Sequence, residues 1–412
     1  MAIPSKFKVF TNRIFGNFKN TETVEATRQA LEKEYDEFND FQNSDELKRY
    51  LELEEWVKSG EHKKVKAELS RLTFKNSEEQ KTEKEFKKLS KSKSVKKFLK
   101  NNGPETPEVK RYLDLKKTVE SDEFKKRKSY LLSKNKFEQS EAYTKLKEYN
   151  ELKQSDRIKW YFSLLKDSKK FDEFRRWSLE FYDDFDSNNI DSQKWLTKFF
   201  WGDALLNKNY SFSNDLQNYT DKNFEIENSI LRIVTRKETS EGIAWDKKFG
   251  FVPKNFHYTS GVINTGHVLR LKEGKVEAKV RVSCNPGVTH AFYLVGNTVL
   301  PEIDVFIKTD SNPFSLAGAY FTPKGNGKIS KSISKIGGVK CNQEFYILGV
   351  EWNKNNIVWS INGTPYKVEK NTTPDIPMYL VLASSVNSKV DDSSLPAHFE
   401  IDWVRCYLPQ QL

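Results

Sequence analysis

The chain has 412 residues, 37% of them apolar and 31% charged, with 69 Lys and Arg against 58 Asp and Glu for a formal charge of +11. That length allows two or three domains with their own cores. No run of about 18 apolar residues occurs, which excludes a membrane-spanning helix, and the start, Met1 to Lys6, lacks the apolar core of a secretion signal.

The charge is uneven. Residues 1–170 hold 41 Lys and Arg against 30 Asp and Glu, while the other 242 residues hold 28 of each. Only three glycines and three prolines fall in the first 170 residues. This shift in composition sets a domain boundary near residue 170. The reading is an N-terminal segment 1–43, a basic helical region 44–170 and a β-rich domain 171–412.

Residues 44–170 read as an array of short helices, solenoid-like in organisation. Capping residues recur at Ser44, Ser59, Ser77, Ser92, Thr106 (followed by Pro107), Ser121, Ser140, Ser155 and Ser168. A Ser or Thr side chain satisfies the free N–H groups of a first helical turn, and Pro is tolerated just inside it. Alternate starts lie 28 to 34 residues apart, the size of a helix–turn–helix repeat. Lys48-Arg49-Tyr50-Leu51-Glu52-Leu53 recurs as Lys110-Arg111-Tyr112-Leu113-Asp114-Leu115, and more loosely from Lys145 to Leu152. The most basic piece, Lys81 to Lys100, has nine Lys and two Glu. Its lysines alternate with Leu, Phe and Val as on a solvated helix face, with no arginine or aromatic reader between them. An acidic protein partner or a nucleic acid is the lesser reading of that stretch.

After Phe171, short strands with alternating apolar positions are divided by Gly, Asn, Asp and Pro. That pattern indicates a sandwich or barrel, and about 240 residues suit a double-sheet jelly roll. Within it, Glu302 and Asp304 of Pro301-Glu302-Ile303-Asp304-Val305-Phe306-Ile307-Lys308 sit two residues apart, so an extended strand puts both carboxylates on one face. Cys284, Cys341 and Cys406 fit no metal-ligand spacing and, being three, cannot all pair internally. Buried or reduced thiols are expected.

Seven segments, in order, resemble glycoside hydrolase family 16, the laminarinase and lichenase group with a concanavalin A-like fold. Phe181 to Asp186 with Trp195 is similar to its "DEF…W" opening, and Tyr258-Thr259-Ser260-Gly261 to its "YTSG" strand. Gly274 to Lys279 resembles "G-x-x-E-A-R", and Ala291 to Gly296 resembles "AFWLLG". Glu302-Ile303-Asp304 matches the centre of the catalytic motif. Glu351-Trp352 with Asn362-Gly363 resembles the "EW…DG" hairpin, and Asp402 to Tyr407 the closing "DYVRVY".

The resemblance implies Glu302 as nucleophile and Asp304 as its helper. The family's acid/base Glu comes three residues after that Asp in bulged members and two after it in the others, and those positions hold Ile307 and Phe306. Retaining glycoside hydrolysis uses two carboxyl groups, and general-acid help is commonly worth about 10²–10⁴-fold. The domain is therefore expected to be a non-enzyme, a pseudo-glycosidase that binds carbohydrate or serves a structural role. A glycan groove is expected from Trp201, Trp245, His290, Tyr293, Glu302, Asp304 and Tyr320, since aromatic faces stack on sugar rings and polar groups orient them. Expected partners are a polysaccharide, such as β-glucan or a capsule or host-surface glycan, and a protein bound by region 44–170. Neither a membrane nor a cofactor is expected. The family's structural Ca²⁺ cannot be assigned to residues here. The missing leader beside a glycan-binding domain suits a bacteriophage virion released by lysis. The alternatives are an active endo-β-glucanase with a displaced acid, with Asp310 the nearest other carboxyl, and a purely structural assembly protein.

Overall fold

The computed structural model describes residues 5–16, 18–100, 103–167 and 169–410. Helices come first: α1 (Lys6–Phe15), α2 (Thr21–Gln42), α3 (Asp45–Ser59), α4 (Glu61–Arg71), α5 (Glu78–Leu89) and α6 (Lys93–Leu99). They continue as α7 (Pro107–Glu120), α8 (Asp122–Leu132), α9 (Glu141–Gln154), α10 (Asp156–Lys166) and α11 (Asp172–Arg176). Among the described residues no helix is long and apolar enough to cross a membrane.

The caps explain most of the starts. Ser44, Ser77, Ser92, Thr106, Ser121 and Ser140 each accept from the backbone N–H three residues on. Ser59 does not start a helix. It ends α3, because Gly60 takes a left-handed φ of 76° and closes the helix there. Ser155 precedes α10, but its hydroxyl donates to Glu46 (3.1 Å) instead of capping. Ser168 lies outside the described residues.

The repeated hexapeptide repeats an interaction. Arg49 makes a two-pronged pair with Glu148, both bonds 2.7 Å, and Arg111 does the same with Glu85 at 2.9 Å. The adjacent Tyr50 stacks on Tyr149 and Tyr112 on Phe86, with ring centres 5.7 and 5.3 Å apart. A Lys-Arg-Tyr-Leu helix thus meets a Lys-Glu-aromatic helix twice, α3 against α9 and α7 against α5. The helices pair across the array as well as with their chain neighbours.

The chain divides into two compact units, Met1–Lys33 with Phe171–Leu412, and Glu34–Lys170. In this division residues 1–33 of the expected N-terminal segment 1–43 group with the sandwich and 34–43 with the helical region. Helix α1 packs on the sandwich, the Thr21 hydroxyl donates to the Phe345 carbonyl (2.6 Å), and Arg28 pairs with Glu277 (2.9 Å).

In the C-terminal region, β1 (Trp177–Asp183) is followed by α12 (Phe200–Leu206), β2 (Ser211–Phe212), β3 (Gln217–Tyr219), β4 (Phe224–Glu227), β5 (Ile230–Asp246) and β6 (Gly250–Ser260). Next come β7 (Val262–Asn264), β8 (Gly274–Val282), β9 (Val288–Val295), β10 (Glu302–Lys308), β11 (Ser315–Pro323) and β12 (Ile329–Gly337). The set closes with β13 (Tyr346–Trp352), β14 (Asn356–Ile361), β15 (Thr364–Lys370), β16 (Tyr379–Val386) and β17 (Ala397–Pro409). Two sheets form. The larger runs β15-β14-β13-β8-β17-β5-β6-β3, and the smaller runs β12-β11-β10-β9-β16-β7. Between them lies one core containing Phe292, Trp352, Trp359 and Phe399, each at most 1% exposed. The other face of the smaller sheet carries the Glu302 row, where the sequence places the glycan groove.

Candidate active site

Strand β10 builds the site through an irregularity. On one side Asp304 pairs with Tyr293 and Phe306 with Phe292; on the other Asp304 pairs with Ala319 and Ile307 with Ala317. One extra residue therefore bulges between them. Val305 and Phe306 both turn into the core. Ile307 returns to the row of Glu302 and Asp304, opposite Ala291. Position 307, not 306, thus occupies the place that the resemblance gives to the acid/base residue. The Trp359 indole donates to the Asp304 carbonyl oxygen (2.7 Å), which pins the bulge from the core side.

Asp304 is 1% exposed and Glu302 half-buried. The two carboxyl groups influence each other's proton affinity, and neither Asp304 oxygen has a hydrogen-bond partner among the described residues. Burial, then the neighbouring Glu302 charge, raises Asp304 well above the usual carboxylate range. Burial also raises Glu302, but the neighbouring Asp304 pulls it back. Of the two, Asp304 holds its proton the more strongly.

Tyr293 lies beside the pair. Burial, then the Glu302 charge, raises its phenol well above the usual range, so it stays a neutral hydrogen-bond donor. The same face continues through Val295, Tyr379 and Val381, which cluster under Phe199, Phe200 and Tyr219. Sequence reasoning missed this wall, although the alternation from Tyr293 to Val295 was there to read. Arg270 was also missed and had no local signal. It lies over the rings of Phe200 and Tyr379, 4.5 and 4.7 Å from their centres, and its guanidinium donates to Asn297 (2.5 Å).

The other expected groove residues scatter. Trp201, 38% exposed, donates to the Asn297 carbonyl (3.0 Å) at the end of β9. Trp245 lies at the far end of the β5–β6 hairpin. It is joined to the wall residue Tyr219 through successive ring contacts with Phe251, Tyr210 and Phe199. His290 and Tyr320 are not groove residues, and their assignment is corrected. His290 is fully buried on the core face, between the hydroxyls of Ser283 (3.0 Å) and Ser384 (2.7 Å). Tyr320 pairs with core-facing Ile303, and its hydroxyl hydrogen-bonds with Thr373 (2.8 Å). Both stand on the opposite pleat from Glu302.

No displaced acid comes from Asp310. Burial alone would raise its carboxyl, but hydrogen bonds from Lys308 (2.5 Å) and Lys335 (3.0 Å) hold it below the usual range. Among the described residues, no group of three or more His, Cys, Asp or Glu side chains could hold a metal ion.

A strand with a buried carboxyl pair, bulged so that position 307 rejoins their face, carries the motif in the right geometry. Residues 210–405 match the sequence profile of Glycosyl hydrolases family 16. The chain is 26% identical over 253 residues to the clotting factor G alpha subunit of Tachypleus tridentatus, covering 56% of this chain and 34% of that one. It is 26% identical over 271 residues to the glucan endo-1,3-beta-glucosidase A1 of Niallia circulans, covering 57% and 38%. The chain thus spans about a third of the length of these curated relatives. Among solved structures it resembles the laminarinase catalytic domain of Thermotoga maritima, with a TM-score of 0.48, 23% identity, 57% of this chain and 100% of that one.

The expectation of a non-enzyme is corrected by this family 16 match and by a relative that is itself named an endo-glucosidase. The physical reason lies in the size of the missing effect. A general acid is worth about 10²–10⁴-fold, whereas enzymes commonly accelerate reactions by 10⁶-fold or more. Loss of the acid alone is therefore no ground for calling the domain a non-enzyme.

Proposed function

We propose that the sandwich binds a β-glucan chain along the groove and cleaves it internally, with Glu302 as the attacking carboxylate and Asp304 as the proton-bearing neighbour that orients it. The observation that carries this reading is the buried Glu302–Asp304 pair on the bulged strand. The relative from Niallia circulans supports the choice of β-1,3-linked glucan. Tyr293, together with Trp201 of α12, supplies the aromatic and hydrogen-bonding surface for sugar rings.

Chemistry at this site proceeds without a carboxylic acid at 307. The Glu302 oxygen bonds to the anomeric carbon as the glycosidic bond breaks, and the leaving oxygen takes its proton from solvent water. A second water then hydrolyses the glycosyl ester, releasing the sugar and regenerating Glu302. The rate therefore depends steeply on how good the leaving group is.

Two substrates test this. The protein is expected to release dinitrophenol from a dinitrophenyl β-laminaribioside much faster than it releases reducing ends from laminarin. Ile307→Glu should raise the laminarin rate by about 10²–10⁴-fold and leave the aryl substrate nearly unchanged, and Glu302→Gln should abolish both. Retention of laminarin with no turnover of either substrate by the unmodified protein would contradict the proposal.

A further inference from the structure

Away from the groove, two of the three cysteines stand together. Cys284 follows β8 and Cys341 precedes β13, yet their sulfurs are 3.3 Å apart across a sequence separation of 57 residues. The backbone fixes this approach. The Val282 N–H donates to the Cys341 carbonyl (2.8 Å), and the Cys341 N–H donates to the Pro313 carbonyl (3.0 Å). Disulfide formation requires the two sulfurs to close to about 2.05 Å, which rotation about the side-chain bonds can supply while these backbone contacts stay in place.

The two sulfurs differ in access. Cys341 is 1% exposed, while Cys284 is half-buried and lines a cavity of about 530 Å³ with Arg281, Asn285 and His398. The thiols share one proton. The hydrogen bond from Cys284 brings Cys341 down to about 7 and pushes Cys284 up, and the nearby Lys308 ammonium favours the negative charge. A thiolate shared across a short hydrogen bond is the species that attacks a disulfide.

We propose that Cys284 and Cys341 form a reversible dithiol–disulfide site, oxidised by exchange with a small-molecule disulfide entering through the cavity beside Cys284. The proton shifts to Cys341, and the Cys284 thiolate attacks one sulfur of the reagent. A mixed disulfide forms and one thiolate leaves. The Cys341 sulfur then attacks Cys284, the protein disulfide forms, and the second reagent thiol departs. Two electrons pass to the reagent; the one proton held by the two protein sulfurs ends on one reagent thiol, and the other leaves as a thiolate that takes its proton from water. Cys406, fully buried in the sandwich core, takes no part. The bond would tie the end of β8 to the segment that holds the turn after β10.

The test uses the full chain equilibrated with oxidised glutathione, acid-quenched and titrated for thiols in denaturant. The count is expected to fall from three to one, with a proteolytic peptide linking Cys284 to Cys341. The sandwich melting temperature should rise by about 10 °C, from the closed loop of that length. Cys284→Ser and Cys341→Ser should each abolish the linked peptide and the rise. Three thiols remaining in the unmodified protein, or glutathione adducts with no internal link, would overturn the proposal. Should a variant fail to fold, the linked-peptide map of the unmodified protein decides alone.

Discussion

Burial sets the behaviour of single groups in this sandwich. Asp304 keeps its proton because a second buried charge beside Glu302 has no donor to stabilise it. His290 shows the opposite case. Burial, then the nearby His398 and Lys308, lowers its imidazole to about 3 from an ordinary 6.5. It is neutral in the fold, while in the unfolded chain it gains a proton below 6.5. Its contribution to stability is therefore complete above pH 6.5 and is lost as pH falls toward 3, at about 1.4 kcal/mol per pH unit. His290→Gln, which can still bridge Ser283 and Ser384, should flatten the acid limb by roughly that slope in denaturant melts between pH 6 and 4. An unchanged slope would place the acid sensitivity elsewhere.

Elements were legible in the sequence to the extent that their signals were local. Six of the expected caps carry the bond that a Ser or Thr makes at a helix start. Ser59 looked the same in sequence but lost to the left-handed Gly60 beside it. Ser121→Ala should cost the helical unit about 1 kcal/mol, read as a lower melting transition for residues 34–170 with that of the sandwich unmoved. In the sandwich, alternation grouped Glu302 with Asp304, because a strand has two faces. It did not say which face His290 or Tyr320 took, since that depends on pairing across strands. His290 lies opposite Lys308, and Tyr320 opposite Ile303, on the core row. Placing the bulge also needed the partner strands, because the choice between Phe306 and Ile307 is one of register.

The two units follow from contacts that no sequence window contains. Composition marked a change near residue 170, but Met1–Lys33 packs with Phe171–Leu412 through pairs more than 200 residues apart. Arg28 is the clearest case: its guanidinium bonds to Glu277 (2.9 Å) and to the Tyr407 hydroxyl (2.7 Å). Glu277 is buried, and among the described residues only Lys275 (3.0 Å) would be left to pair with it without Arg28. Arg28→Ala should therefore cost the sandwich about 3 kcal/mol, seen by calorimetry as a fall in one transition while that of residues 34–170 stays in place.

The central claim, that Glu302 attacks the sugar even though Ile307 cannot protonate the leaving group, meets its most direct test in covalent trapping. The protein would be incubated with dinitrophenyl 2-deoxy-2-fluoro-β-laminaribioside, whose leaving group needs no acid, and digested for mass spectrometry. A fluoroglycosyl adduct on the peptide containing Glu302, absent in Glu302→Gln, is the predicted result. An unmodified protein, or an adduct on a different carboxylate, would contradict it.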